Sequence, residues 1–127
     1  MKPYLRSSKE FQRVYRLGKR YDGTLMTAFV LPNNRSQNSL GVTASRKALG
    51  KAVQRNRAKR LLKEAFRLKY SSLAALTQRY DWVINAKRRL PHLRVNAVID
   101  EFELLVIRIA ESERLTEASK SQSLGQM

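Results

Sequence analysis

The acidic side chains are the first candidates for catalytic chemistry, because a protein that hydrolyses phosphodiesters with metal ions needs several carboxylates converging on one spot. The only close set is Asp100, Glu101 and Glu103, in a segment whose apolar spacing predicts a helix. On a helix Asp100 and Glu101 diverge by about 100°, and only Asp100 and Glu103 share a face. We therefore interpret the three as a solvated helix surface, and we predict neither a catalytic residue nor a metal site in this chain.

The other residue types that do chemistry are equally sparse. The chain has one histidine, His92, and no cysteine, so it lacks the partners for a nucleophilic dyad or a zinc site. Its five glycines are scattered and form no phosphate-binding loop. If this protein takes part in a reaction, we expect another component to supply the reactive centre, and we expect the protein alone to bind no cofactor.

Length and charge indicate what the chain binds instead. With 127 residues it is one domain, and 26 Lys and Arg against ten Asp and Glu leave a net charge of +16. Self-repulsion of this size destabilises a compact fold, so a polyanionic partner is the natural explanation. The charge is concentrated in residues 46–69, where ten basic residues accompany a single acid, Glu64.

Neither a membrane span nor a signal peptide is expected. No apolar run approaches about 18 residues, and the N-terminal segment lacks an apolar stretch. With no cysteine in the chain, this predicts a cytoplasmic protein without a membrane partner. Residues 116–127 are polar and lack periodicity, so we expect a disordered tail after a folded domain over residues 1–115.

Capping residues, glycines and periodicity predict the elements that position the candidate residues. A first helix begins at Ser7 or Ser8 and ends at Gly18, and a basic helix follows Gly50. Three strands are predicted, over residues 24–31, 40–45 and 80–87. With a final helix that carries an apolar stripe, the order is α-β-β-α-β-α, a small α/β (α+β) sandwich. The basic helix is long enough for a parallel crossover, which handedness statistics alone make right-handed.

Two surfaces of this arrangement carry candidate binding residues. One face of the basic helix is polar and positive, opposite an apolar face, and it gathers Asn56, Lys59, Arg60, Lys63 and Arg67. One face of the sheet is small and polar with a single aromatic, and it carries Thr27, Phe29, Thr43 and Ser45.

The run SLGVTASRKALGKAVQRNRAKRLLKEAFR is similar to the signature of the bacterial ribonuclease P protein subunit. In that family a strand ends in Ser and two basic residues, matched by Ser45, Arg46 and Lys47. A helix with an Arg-Asn-Arg motif follows, matched by residues 55–57. Outside this run the resemblance is carried by Phe11, Gln12, Val14, Tyr15, Lys87 and Arg88. It covers roughly residues 5–110 and departs at Ala58, where the family often has a larger aliphatic residue.

The resemblance implies a catalytic RNA subunit as partner and precursor tRNA as substrate, with the 5′ leader removed by an active site in the RNA that uses Mg²⁺. It also implies a crossover of the rare left-handed sense, which we follow over the statistical default. The implied contacts with the RNA subunit are Arg46, Lys47, Lys51, Arg55, Asn56, Arg57, Lys59, Arg60, Lys63 and Arg67. The implied cleft for the single-stranded leader is formed by Phe11, Tyr15, Thr27, Phe29 and Ser45.

Other interpretations stay open at this point. The basic helix is also compatible with a solvated amphipathic surface, although such helices usually mix both charge signs. Phe11, Tyr15 and Phe29 are compatible with core packing. A basic ribosomal or RNA-chaperone protein would carry similar charge without the Arg-Asn-Arg run. A DNA-binding module is less expected, because the helix's apolar face is needed by its own sheet.

Overall fold

A computed structural model describes residues 4–125, with side chains described as far as Ala118. The helices are α1 Ser8–Leu17, α2 Arg46–Leu49, α3 Ala52–Leu68 and α4 Val95–Gly125. The strands are β1 Lys19–Asp22, β2 Met26–Pro32, β3 Ser39–Thr43 and β4 Tyr80–Ala86. Two short 3₁₀ helices, Tyr70–Ala75 and Leu90–His92, follow α3 and β4. The chain is thus a mixed α/β domain, as the sequence predicts.

The four strands form one sheet in the order β1-β2-β4-β3. β2 is antiparallel to both β1 and β4, whereas β3 is parallel to β4. The connection from β3 through α3 to β4 is therefore the predicted parallel crossover, and its left-handed sense stays an expectation from the resemblance. The expected order of three strands was wrong in one respect, because it omitted β1. That strand has only four residues, and the sequence KRYD offers just one apolar side chain, Tyr21, to a period-2 pattern.

The main core lies between one face of the sheet and the helices α3 and α4. Alternate strand residues such as Met26, Ala28 and Trp82 point into it and are fully buried. They meet Phe66 of α3 and Phe102 of α4, whose rings contact the Trp82 ring at centroid distances of 6.0 and 5.5 Å. This packing uses the apolar face of α3, so the basic face of that helix points outward.

Helix α1 covers the other face of the sheet and makes the molecule three-layered. Ser7 caps the helix by accepting the Glu10 N–H, while the Glu10 carboxylate accepts the Ser7 N–H, a reciprocal pair that satisfies two free donors. The helix ends at Gly18, whose N–H donates to the Val14 carbonyl at 2.8 Å. Val14 is buried beside Val83 of β4, which fixes α1 across the sheet. The resemblance implies a leader-binding cleft between α1 and this face of the sheet, and two of its expected residues, Phe11 and Phe29, lie there.

The link from β3 into α3 is bent at Gly50. Its φ of +73° lies in the left-handed region, which glycine adopts without the steric cost of a side chain. The basic segment therefore forms two helices, the single turn α2 and the longer α3, separated by this glycine. As a result, the basic residues of this segment are divided between two helices.

Helix α4 extends beyond the expected end of the folded domain. It continues through Thr116, where the sequence predicts a disordered tail, as far as Gly125, and no proline or glycine interrupts it before that residue. Glu113 attaches the middle of α4 to the segment before β4. Its carboxylate accepts hydrogen bonds from the Thr77 N–H at 2.9 Å and from the Tyr80 hydroxyl at 2.5 Å. Burial of the Tyr80 hydroxyl and, as the second cause, its hydrogen bond to the Glu113 carboxylate raise the pKa of Tyr80. The boundary at residue 116 stays a prediction, and the last two residues of the expected tail lie outside the described residues.

No helix in residues 4–125 has both the length and the apolar composition of a membrane span.

Candidate nucleic-acid interface

Asp100, Glu101 and Glu103, the acidic residues closest together in the sequence, lie on α4 but have different surroundings. Glu101 accepts the backbone N–H groups of Thr24 and Leu25, each at 2.8 Å, and so ties the β1–β2 turn to α4. Glu103 pairs with Lys69 at 2.9 Å, and Asp100 is exposed. Across the described part of the chain, no three His, Cys, Asp or Glu side chains gather where they could hold a metal ion.

The outward face of α3 forms a basic depression, which we call the α3 groove. Its volume is about 400 Å³. It is lined by Tyr4, Asn56, Lys59, Arg60, Lys63, Glu64 and Arg67. The five residues that the sequence grouped on one polar face therefore do lie together. Glu64, their only acid, pairs with Arg67 at 2.7 Å, so the other cations of the groove keep their charge for an external anion.

The two arginines of the Arg-Asn-Arg motif lie on the flanks of α3 rather than in the groove. At 100° per residue they are about 160° apart, on either side of Asn56. Arg55 is half-buried, and its Nε is buried without a hydrogen-bond partner. Arg57 donates from Nε to the carbonyl of Pro91 at 2.5 Å, which fastens the 3₁₀ helix Leu90–His92 to α3. Arg57 therefore has a structural contact as well as charge, and Arg55 is partly withdrawn from solvent.

The remaining basic candidates lie at the entry to α3. Arg46 and Lys47 are exposed on α2, and Lys51 is the exposed N-cap residue of α3. Ser45, expected in the cleft, is the N-cap of α2, and its hydroxyl accepts the Ala48 N–H at 3.1 Å. It stands past the end of β3, at the boundary between the cleft and the basic residues of α2.

The aromatic candidates line the cleft between α1 and the sheet. The rings of Tyr15 and Phe29 meet edge to face, with centroids 4.9 Å apart and planes at 81°. Tyr15 is exposed and Phe29 half-buried, so both rings are partly accessible. Phe11 is packed more closely, because its ring lies over Gly41, where an added Cβ would come within 2.5 Å of the ring. Phe11 therefore has a larger packing role than Tyr15 and Phe29.

A polar row crosses the floor of this cleft. Thr27, Asn85 and Thr43 are neighbours on three adjacent strands. The Asn85 carbonyl oxygen accepts hydrogen bonds from the Tyr15 hydroxyl at 2.7 Å and from the Thr43 hydroxyl at 2.6 Å. These two bonds fix the amide, so its NH₂ group is the part left to donate to a ligand.

One carboxylate lies at the end of this row. Asp22 accepts the Thr27 hydroxyl at 2.6 Å and pairs with Lys87 at 3.0 Å. These contacts, the Thr27 hydrogen bond first, lower the pKa of Asp22 to about 2. Lys87 also donates to the Gly23 carbonyl at 2.5 Å. This residue, which carries part of the family resemblance, therefore holds the β1–β2 turn.

Sequence reasoning missed several residues of these surfaces. Asn85 falls within the predicted strand over residues 80–87 but was not expected in the cleft, because its register opposite Thr27 becomes visible only in the sheet. Arg20, whose guanidinium stands 5.8 Å from the Phe29 ring, belongs to the strand that was not predicted. Tyr4 lies outside every predicted element. No local sequence signal marks any of the three.

The fold and these surfaces define a class, a small basic α/β protein whose positive groove on α3 is suited to a nucleic acid. The family model Ribonuclease P matches residues 2–110. The chain belongs to the bacterial ribonuclease P protein family.

Individual relatives agree with this assignment. The ribonuclease P protein component of Clostridium botulinum (strain Loch Maree / Type A3) is 43% identical over 83 residues, which cover 65% of this chain and 72% of that protein. The one from Natranaerobius thermophilus is 33% identical over 111 residues, or 87% of this chain and 90% of that protein. A solved structure of Staphylococcus aureus RNase P protein gives a TM-score of 0.70 over 89% of this chain and 99% of that one. At 23% identity that likeness concerns the fold alone.

The family decides between the functional interpretations left open by the sequence. It identifies a protein component of ribonuclease P, the holoenzyme of tRNA processing, with an RNA partner. A basic ribosomal or RNA-chaperone protein, the main alternative, is not supported.

Proposed function

We propose that this chain binds the catalytic RNA subunit through α2 and α3 and guides the 5′ leader of precursor tRNA through the cleft between α1 and the sheet. The observation that carries the proposal is the separation of two surfaces. The basic groove lies on the outer side of α3, and the aromatic cleft lies on the opposite face of the sheet. One chain can therefore contact two RNA molecules at once.

The α3 groove suits the backbone of a folded RNA. Lysines provide point charge toward phosphate oxygens, and arginines add paired donors. Since Lys59, Arg60 and Lys63 have no carboxylate partner in the described structure, binding an RNA neutralises charge that the protein leaves uncompensated. Each phosphate contact also releases counterions, which makes the affinity depend steeply on salt.

The cleft suits a single strand. An unpaired leader exposes base faces that stack on Tyr15 or Phe29, and the fixed NH₂ group of Asn85 donates to a base or phosphate acceptor beside them. Mature tRNA has no 5′ leader, so a leader-binding cleft raises the affinity of the holoenzyme for precursor over product.

The chemistry itself we place in the RNA subunit. No three His, Cys, Asp or Glu side chains of the described chain gather where they could hold a metal ion, and Glu101 and Glu103 are engaged in structural contacts, so the arrangement does not fit a Mg²⁺ site. Magnesium ions then belong to the RNA of the holoenzyme, and the protein binds and orients. We also place the protein in the cytoplasm, on the basis of its role in tRNA processing.

Reconstitution tests the proposal. The purified, RNA-free protein is added to a bacterial ribonuclease P RNA at a Mg²⁺ concentration too low for the RNA alone, and cleavage of precursor tRNA at the leader junction is measured. We expect cleavage only when both components are present. Cleavage by the protein alone would place the active site in this chain, and no stimulation of the RNA would contradict the proposed role.

A further inference from the structure

Tyr4 is an aromatic side chain set into a groove that is otherwise built from charged and polar groups. It lines the α3 groove together with Asn56 and the basic residues of α3. The residue is 37% exposed, and the Lys63 ammonium stands 5.4 Å from the centroid of its ring. A surface that binds only phosphates needs no aromatic ring, so this one calls for an explanation.

The backbone fixes Tyr4 in this position before any ligand arrives. Leu5 is buried and donates its N–H to the Leu40 carbonyl at 2.8 Å. Tyr4 itself forms a parallel bridge with Leu40, so the segment extends the sheet beside β3. A segment held in this way loses little further backbone freedom on binding.

We propose that Tyr4 and the α3 groove form a seat for one unpaired nucleotide of the RNA partner. The base stacks on the Tyr4 ring, the phosphates on either side bind Lys59 and Lys63, and the Asn56 amide lies within the same groove to bond a base edge. A base in a duplex has neighbours on both faces, so the ring selects a nucleotide that is bulged or single-stranded. This inference rests on the proposed function, since it assigns a specific ligand to the surface that binds the RNA subunit.

Stacking and charge leave different signatures in a salt titration. Loss of a lysine–phosphate contact reduces the slope of log affinity against log salt, whereas loss of a stacked base lowers affinity at every salt concentration alike. The affinity of Tyr4→Ala for a bacterial ribonuclease P RNA should fall about 5- to 150-fold with an unchanged slope. Tyr4→Phe keeps the ring and should stay within about twofold of the wild type.

Two controls keep the test decisive. Tyr4→Leu retains apolar bulk without an aromatic plane, so it should lose affinity like Tyr4→Ala even if alanine weakens the N-terminal segment. Leu104→Ala removes a 61% exposed apolar side chain of α4 that lies outside the α3 groove, and it should leave affinity for the RNA subunit unchanged. Thermal unfolding of each variant checks the fold.

The outcomes separate this inference from the proposed function. If Lys59→Ala with Lys63→Ala lowers the salt slope but Tyr4→Ala binds like the wild type, the α3 groove binds RNA and the nucleotide seat is wrong. If Tyr4→Phe loses as much as Tyr4→Ala, the hydroxyl acts rather than the ring, and stacking is again rejected. If neither the lysine nor the tyrosine variants change binding, the proposed RNA surface itself fails.

Discussion

At the scale of single residues, the cleft depends on Asn85, a side chain whose own orientation is determined by its neighbours. Two hydroxyl groups, of Tyr15 and Thr43, donate to its carbonyl oxygen, so the amide presents a donor rather than an acceptor to the open cleft. Tyr15 therefore has two functions, a ring face for stacking and a hydroxyl that orients Asn85. The two functions are separable by substitution.

Tyr15 is expected to contribute to the discrimination between precursor and mature tRNA. Tyr15→Ala should remove about 1–3 kcal/mol of the holoenzyme's preference for precursor, because a stacked leader base loses its platform. Tyr15→Phe should retain most of that preference. The ratio of precursor to product affinities measures both variants, with thermal unfolding as the control. A large loss of stability at an unchanged ratio would show that the ring belongs to the core.

Asp22 predicts a pH dependence of stability at the end of the polar row. Its pKa is lowered from 3.8 to about 2 by Thr27 and Lys87, so the folded state favours the ionised carboxylate. The resulting stabilisation is present above about pH 4 and is lost as the pH falls through about 2. Urea unfolding of the wild type and Asp22→Asn should therefore show a difference in midpoint at pH 5 that disappears near pH 2. A difference that stays constant over this range would assign the effect to something other than ionisation.

At the scale of elements, α3 separates residues that bind from residues that also hold the fold. Lys59 and Lys63 line the groove without a carboxylate partner, whereas Arg55 is half-buried and Arg57 bonds to the Pro91 carbonyl. Substituting Lys59 and Lys63 therefore tests the loss of charge, and substituting Arg55 and Arg57 tests the loss of structural contacts as well.

The double variant Lys59→Ala, Lys63→Ala should weaken binding to the RNA subunit and leave the fold intact. The slope of log affinity against log salt should fall by about 0.7–0.9 for each lost phosphate contact. The matched control, Arg94→Ala with Arg114→Ala, removes the same charge from exposed positions outside the groove and should change the slope less. Circular dichroism verifies the helix content. Equal slopes for both double variants would show that the response follows net charge rather than the groove.

The pair Arg55→Ala, Arg57→Ala should behave differently. Removing the Arg57 side chain leaves the Pro91 carbonyl without its donor, which should cost about 1–3 kcal/mol of unfolding free energy in addition to any loss of RNA affinity. Urea unfolding of the free protein measures this cost. An unchanged free energy of unfolding would leave both arginines with an electrostatic role alone.

The elements also show which features a sequence can predict. Helix α1 was predictable because Ser7 and Gly18 mark its ends, and the face of β2 that carries Thr27 and Phe29 followed from the alternation of side chains along a strand. Strand β1 was not, since its four residues become a strand only by pairing with β2. The same holds for the α3 groove. Five of its residues follow from helical spacing, but Tyr4 reaches it through a bridge to Leu40, a contact across 36 positions that no local pattern encodes.

At the scale of the whole molecule, charge has opposite effects on folding and on binding. A net charge of +16 on 127 residues repels itself in the free protein, because the ten acids, five of which form ion pairs in the described structure, cannot balance 26 basic residues. An RNA partner supplies the missing counter-charge. The free protein and the complex should therefore respond to salt in opposite directions.

Raising ionic strength from about 0.01 M to about 0.1 M shortens the screening length from about 30 Å to about 10 Å, which is less than the width of the domain. The melting temperature of the free protein should rise over this range because self-repulsion is screened. Its affinity for the RNA subunit should fall because releasing counterions into a more concentrated salt solution gains less entropy. Scanning calorimetry in a chloride salt measures the first effect, and filter binding in the same buffers measures the second. The double variant Lys59→Ala, Lys63→Ala serves as the control, since its lower charge should reduce both responses together. A melting temperature that falls with salt would mean that the salt bridges of the folded protein outweigh the repulsion between its positive charges. A polyanionic partner would then no longer be needed to explain the excess of positive charge.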